Sequence, residues 1–412
     1  MNIGERLKSL LPGIFLFGYT IGTGSVTAMA KAGADYGMTL LWTVLLSCII
    51  TFFLIHMYGK FTVVTGETAL SAFRRYIHPA VGVFFIIALG VNISGSIIGV
   101  MGIIADVCYE WSKNYTEQGI APIYFAGVFI TLVYLLFLDG RTRVFQKVLT
   151  LIVAVMAICF LINFFVLAPP SVEIARGLIP AIPSTGHGEG PFLVIASMVG
   201  TTVFSGLFIL RTTLVREAHW TLKDLKTQRN DALFSASLMF VVSVSIMAAA
   251  AGTLHVRGIR LENVSEMIGL LEPLAGLLAV TIFTIGLVAA GVSSQFPNVA
   301  LVPWLLDDYN RRAPHMRRFS YRILVFFLSL LGLIVPVFHA RPVAVMIASQ
   351  AFGALILPVT VACLIFIGNK KSLMGEYSFS GLTNLFLSLI LLFALAMSYM
   401  GITGLLSTLR ML

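Results

Sequence analysis

The chain has 412 residues, of which 58% are hydrophobic and 11% charged, with a mean hydropathy of +0.97 and a formal net charge of +9. Apolar runs without charge recur from end to end, which excludes an ordinary soluble domain. The surplus of Lys and Arg is explained by membrane topology, so nucleic-acid binding is not needed to account for it.

Windows of about 20 apolar residues predict eleven spans, near 11–33, 38–63, 80–108, 121–138, 145–168, 190–215, 231–254, 272–303, 319–338, 343–368 and 379–408. The opening "MNIGERLKSLLPGIF" has no small-residue cleavage site, so the first apolar run is expected to stay as a span. With the N-terminus inside, the cytoplasmic loops collect most of the 27 Lys and Arg, among them Arg74, Arg75, Arg141, Arg143, Lys147, Arg311, Arg312, Arg317, Arg318, Lys370 and Lys371. The positive-inside rule therefore selects that orientation. No stretch between spans is long enough for a soluble domain, so residues 1–412 are expected to form one transmembrane domain. Cys48, Cys108, Cys159 and Cys363 lie in or beside apolar segments without paired spacing and read as small buried hydrophobes.

The first span contains "GYTIGTGSVTAMAKAG", whose centre, Gly22-Thr23-Gly24-Ser25, weakens a helix at mid-membrane depth. Broken helix is tolerated there only where the freed backbone groups are buried in protein or face a watery cavity. The sixth span carries a second cluster, "VGTTVFSGLF", with Gly200, Thr201, Thr202, Ser205 and Gly206. Interruptions in the first and sixth spans are what a five-plus-five inverted repeat produces: repeat one over about 11–168, repeat two over about 190–368, and an added helix over about 379–408. The plainer reading is that Gly, Ser and Thr let neighbouring helices approach closely.

The run "GYTIGTGSVTAMAKAGADYGMTLLW" resembles the first-span signature of the Nramp metal-ion transporters, usually Asp-Pro-Gly-Asn followed by an Ala-Gly-Ala-Gln-Tyr-Gly-like stretch and Leu-Leu-Trp. "VGTTVFSGLFILRTTLVRE" is similar to that family's sixth-span motif, and "LVAAGVSSQ" and "IASQAFGALILP" to its eighth and tenth spans. The resemblance implies an all-α LeuT-type fold with about 11 transmembrane helices and broken helices 1 and 6. It fails at the metal ligands. The family's Asp and Asn fall on Gly22 and Ser25, its Met on Phe204, and its Pro-His-Asn on Ser205, Gly206 and Leu207. Gln350 matches a tenth-span Gln of the family's site, while Ile93 and Ser96 stand where acidic residues linked to proton movement are common.

The charges agree with that loss, since every Asp and Glu falls in a loop or near a span end, Asp106, Asp231 and Glu272 included. A divalent cation at the membrane centre needs compensating charge, whereas two half-helix N-termini favour an anion. The expected substrate site is therefore Gly22, Thr23, Gly24, Ser25, Thr27, Thr202, Phe204, Ser205, Gly206 and Gln350, with Arg211 and Lys31 as charges along the pathway. The expected cargo is a small oxyanion such as bicarbonate or a short carboxylate. The alternatives are a divalent metal ion, as in the family, and a non-transporting sensor on the same fold. Bland fates stand beside each side chain: Arg211 snorkelling or pairing with Glu217, Lys31 reaching the outer interface, hydroxyls bonding to their own helices, and Gln350 as a helix contact. Of the seven histidines only His56 falls inside a predicted span. No nucleophile elbow, HExxH or P-loop is present, so an enzyme is not expected. The remaining expectations are a gradient-driven monomer in a bacterial inner membrane, surrounded by lipid, with no cofactor and with H+ or Na+ as the coupling ion.

Overall fold

The computed structural model describes residues 11–139, 154, 157–162, 164–165, 169–183, 190–268, 270, 277–312 and 318–411. Among these residues the regular structure is helical throughout. The first span is two helices, α1 (Leu11–Thr20) and α2 (Thr23–Tyr36), bent by 54° at the break between them. Then follow α3 (Leu41–Thr65), α4 (Pro79–Ser112) and α5 (Pro122–Asp139). The sixth span is again two helices, α6 (Pro191–Thr202) and α7 (Ser205–Glu217), separated by Val203 and Phe204. These two stay close enough in line to form one 27-residue apolar span. The remaining long helices are α8 (Leu225–Ala250), α9 (Leu277–Tyr309), α10 (Phe319–Leu330), α11 (Pro342–Gly368) and α12 (Gly381–Met411).

Local chemistry sets the ends. Proline opens α4, α6 and α11, where a missing N–H costs nothing and φ is already helical. Gly66 closes α3 in the left-handed region at φ 70°, its N–H donating to the Thr62 carbonyl at 2.8 Å.

Among the described residues, eight helices, plus the bent α1–α2 pair, are long and apolar enough to cross a membrane. The predicted span 121–138 is the shorter apolar helix α5, and most of 145–168 lies outside the described residues. Burial sorts the spans into inner and outer. The apolar window of the α6–α7 span is 94% buried, and that of α12 only 33%. A sequence apolar on every side and exposing Leu385, Leu389, Leu392 and Leu395 faces lipid, so α12 belongs to the perimeter and the interrupted spans to the interior. Around that interior, α6 packs against α11, α12, α2 and α3, and α4 packs against α9 and α11.

Candidate functional site

The break in the first span leaves backbone groups exposed to one another. The last bond of α1 runs from Ile21 N–H to the Phe17 carbonyl at 2.8 Å, and the first of α2 from Val26 N–H to the Gly22 carbonyl at 3.0 Å. The N–H groups that open α2 and the carbonyls that close α1 therefore have no partner within their helices. Gly22 and Gly24 serve a second purpose here. A Cβ on Gly22 would collide with Ser294 Oγ, and one on Gly24 would stand 2.5 Å from Gln350 Nε2. The helix-weakening reading and the close-packing reading are thus both realised in the same glycines.

A cavity of about 50 Å³ lies between the two interruptions. Since about 10–15 Å³ suffices for one water, it has room for a small ion with a few waters. Tyr19, Gly22, Gly24 and Ser25 line it from the first span, Thr201 and Phe204 from the sixth, and Gln350 from α11. Thr20 of α1, the α4 residues Asn92, Ile93, Ser96 and Val100, and the α9 residues Ser294 and Asn298 complete the wall.

A hydrogen-bonded chain frames this wall. The Tyr19 hydroxyl donates to Asn298 Oδ1 at 3.1 Å, and Asn298 Nδ2 donates to Ser96 Oγ at 3.2 Å, which ties α1, α9 and α4 together. Asn92 Nδ2 donates to the Ser349 carbonyl at 2.7 Å, and Ser349 Oγ donates back to the Asn92 carbonyl at 3.1 Å. Tyr19 and Phe204 meet edge to face at 5.9 Å, joining one break to the other. Ser25 Oγ is buried without a hydrogen-bond partner, an unsatisfied polar atom in the wall of a polar cavity. No carboxylate, histidine or cysteine lines the cavity, and no group of three such side chains suited to a metal occurs among the described residues.

Of the expected site, Gly22, Gly24, Ser25, Phe204 and Gln350 are brought together at the cavity. Thr23 and Thr202 keep buried, unpartnered hydroxyls beside it without lining it. Thr27 Oγ1 donates to the Thr23 carbonyl of its own helix at 2.8 Å, the self-bonding fate of a hydroxyl in apolar surroundings. Ser205 Oγ accepts from Thr360 Oγ1 at 2.7 Å and so points to α11, and a Cβ on Gly206 would meet the Phe204 ring.

Arg211 requires a correction, as it neither lines the cavity nor snorkels nor pairs with Glu217. It is fully buried, with Nη1 2.5 Å from Asp231 Oδ2 and Nη2 donating to the Gln228 carbonyl at 3.2 Å. Asp231, expected near a span end, lies within α8 and is likewise fully buried, and its Oδ1 accepts the Gly13 N–H of α1 at 2.8 Å. Each charge is compensated by the other, as burial demands. Lys31 is corrected in the same way: it is 4% exposed, 3.1 Å from Asp35 Oδ2, and donates to the Leu261 carbonyl at 3.0 Å. Tyr19, Asn92, Ser294 and Asn298 were missed by sequence reasoning. The signal that could have found them is a neutral polar side chain inside an otherwise apolar span, as in "VNISG" and "VSSQFPN".

A polar cavity walled by two interrupted helices defines a secondary-transporter fold. The profile of the Natural resistance-associated macrophage protein-like family matches residues 14–404, and the chain belongs to that family. The MntH divalent metal cation transporter of Clostridium acetobutylicum is 24% identical over an alignment that covers 98% of this chain and 93% of that one. The natural resistance-associated macrophage protein 2 homolog of Dictyostelium discoideum is 24% identical over 394 residues, and this chain spans 60% of its length. A crystal structure of the Eremococcus coleocola manganese transporter superposes with a TM-score of 0.78 at 17% identity, over 98% of this chain and 87% of that one. The inward-facing conformation of Mhp1 superposes at 0.59 with 14% identity. The fold is therefore of the LeuT type.

Proposed function

We propose that this protein is a gradient-driven transporter that carries a small divalent cation through the cavity between its two interrupted spans. Its relatives support this cargo, two of those compared being divalent metal cation and manganese transporters by name. The observation that carries the reading is the character of the cavity, a neutral, oxygen-rich wall with Ser25 Oγ unsatisfied. Amide and hydroxyl oxygens of Ser25, Asn298 and Gln350, with the freed carbonyls of α1, suit a hard and partly hydrated ion of the Mg2+ or Mn2+ kind. A thioether is also close at hand: Gln350 Nε2 lies 3.4 Å from Met346 Sδ, directly behind the Gly24–Gln350 contact.

The expected oxyanion stands as a second reading on one specific observation, the absence of any carboxylate among the described residues of the cavity wall. Its other supports are weakened. Arg211 and Lys31 are committed to ion pairs, Thr27 donates to its own helix, and Ser205 faces Thr360. What remains for an anion is Ser25 with the N–H groups that open α2.

The deciding experiment is uptake of Mn2+, Mg2+, bicarbonate and acetate into proteoliposomes, against empty liposomes for leak. Saturable cation uptake without anion flux supports the first reading, and the reverse result replaces it with the second. Flux of none of them overturns both and leaves a non-transporting sensor. We further propose an inner-membrane monomer, with a cytoplasmic N-terminus; the Lys and Arg distribution supports that orientation. Coupling to H+ or Na+ is tested by repeating the uptake with each gradient imposed alone.

A further inference from the structure

Among the described residues, three side-chain amides line the central cavity, those of Asn92, Asn298 and Gln350. An amide offers a cation its oxygen and an anion its NH2 group, so the end that faces inward decides what a neutral wall can hold. Asn298 is bonded at both ends, to Tyr19 and to Ser96, and Asn92 gives its NH2 group to the Ser349 carbonyl. Gln350 differs, because its orientation is set from behind. Its Nε2 donates to Met346 Sδ at 3.4 Å, one turn earlier on α11, and Met346 does not line the cavity.

Three close approaches hold this arrangement. Gly200 of α6 lies so near the Gln350 carbonyl oxygen that any Cβ there would collide with it, which fixes the main chain of Gln350. Met346 is fully buried, and its Cα would stand 3.0 Å from a Cβ on Gly99 of α4, so the thioether is anchored as well. A Cβ on Gly24 would stand 2.5 Å from Gln350 Nε2 and 3.3 Å from Met346 Sδ. The first turn of α2 therefore covers the NH2 group and the sulfur together. Among the described residues no donor reaches Gln350 Oε1, which leaves it as the end that opens on the cavity. A flipped amide would set that oxygen against a sulfur that is itself an acceptor and has no proton to give.

We propose that Met346 is a positioning residue, whose thioether holds the Gln350 NH2 group away from the pathway so that the cargo meets the amide oxygen. The thioether thus acts behind the wall, as groups that orient a ligand do around bound ions. This deepens the cation reading above and rests on it for the identity of the cargo, whereas the orientation itself is independent of transport.

The test joins a readout that needs no cargo to one that does. The chain has five glutamines, and side-chain amide hydrogen exchange is followed in nanodiscs on protein carrying isotopically labelled glutamine. The Gln350 signal is assigned by its loss in Gln350→Glu. In Met346→Leu, a volume-conserving swap that cores tolerate, the Gln350 NH2 group is expected to exchange about fivefold faster than in the wild type, the loss of one hydrogen bond. Equal exchange in the two proteins overturns the proposal. In proteoliposomes, Met346→Leu is expected to raise the KM for Mn2+ about threefold to tenfold with little change in maximal rate. In the Gln350→Glu background the same substitution should leave KM unchanged, since a carboxylate presents an oxygen in either orientation. A rise of equal size in both backgrounds overturns the proposal and makes Met346 a packing residue. Bicarbonate uptake without Mn2+ uptake by the wild type sinks the cation reading alone if Gln350 exchange still depends on Met346, and sinks both if it does not.

Discussion

Gly22 is held to glycine by its neighbour across the bundle, because a methyl group there would strike Ser294 Oγ and approach Ser294 Cβ at 2.8 Å. Gly22→Ala is accordingly expected to abolish uptake and to cost roughly 1–3 kcal/mol of stability, the usual range for overpacking. Ser294→Gly in the same chain removes both colliding atoms and should restore most of the melting temperature; a failure to restore it would mean that the glycine is needed for the backbone of the break. At Arg211 the expected effect is on stability. Truncation to Ala strands Asp231 in the interior, and breaking a buried pair costs about 3–5 kcal/mol. Adding Asp231→Asn removes the stranded charge and keeps an acceptor for the Gly13 N–H, so thermal melting of the double variant should recover much of the loss. A single variant with normal melting but impaired uptake would instead return Arg211 to the pathway. None of this pairing was legible locally, since neither side chain carries a mark of its partner.

At the scale of elements, the two interruptions were legible because helix-weakening residues are a local property. Their use was legible only in part. The break in the first span falls at Ile21 and Gly22, so Thr23, Gly24 and Ser25 already form the first turn of α2. Whether a hydroxyl on that turn faces the cavity depends on the rotation of the helix about its axis, which puts Ser25 on the wall and Thr27 away from it. Asn298 joins three elements through Tyr19 and Ser96. Asn298→Ala should slow uptake severalfold while costing only about 1 kcal/mol, because single polar contacts between membrane helices average about 0.6 kcal/mol. The pairing of KM and maximal rate with a melting curve checks this. A large drop in melting with unchanged kinetics would make Asn298 purely structural.

For the molecule as a whole, the described residues of the cavity wall include no group that ordinarily titrates near neutral pH, since tyrosine does so only near pH ~10. With the imposed gradient held constant, the apparent affinity for a cargo that does not itself titrate should therefore change by less than about twofold between roughly pH 5.5 and 8. A tenfold change measured in proteoliposomes would mean that a charged group outside the wall is coupled to binding. What the sequence determined by itself is the membrane class, the order of spans, the family and the two interruptions, along with the loss of every charged ligand at the centre. Hydropathy, helix breaking and residue identity are carried by neighbouring residues and survive without coordinates. Only the tertiary structure decided which polar atoms share the cavity and which charges cancel. Tyr19 and Asn298 are 279 residues apart, and Gly13 and Asp231 218 apart, so contacts of this kind exist only once helix rotation and packing have placed them.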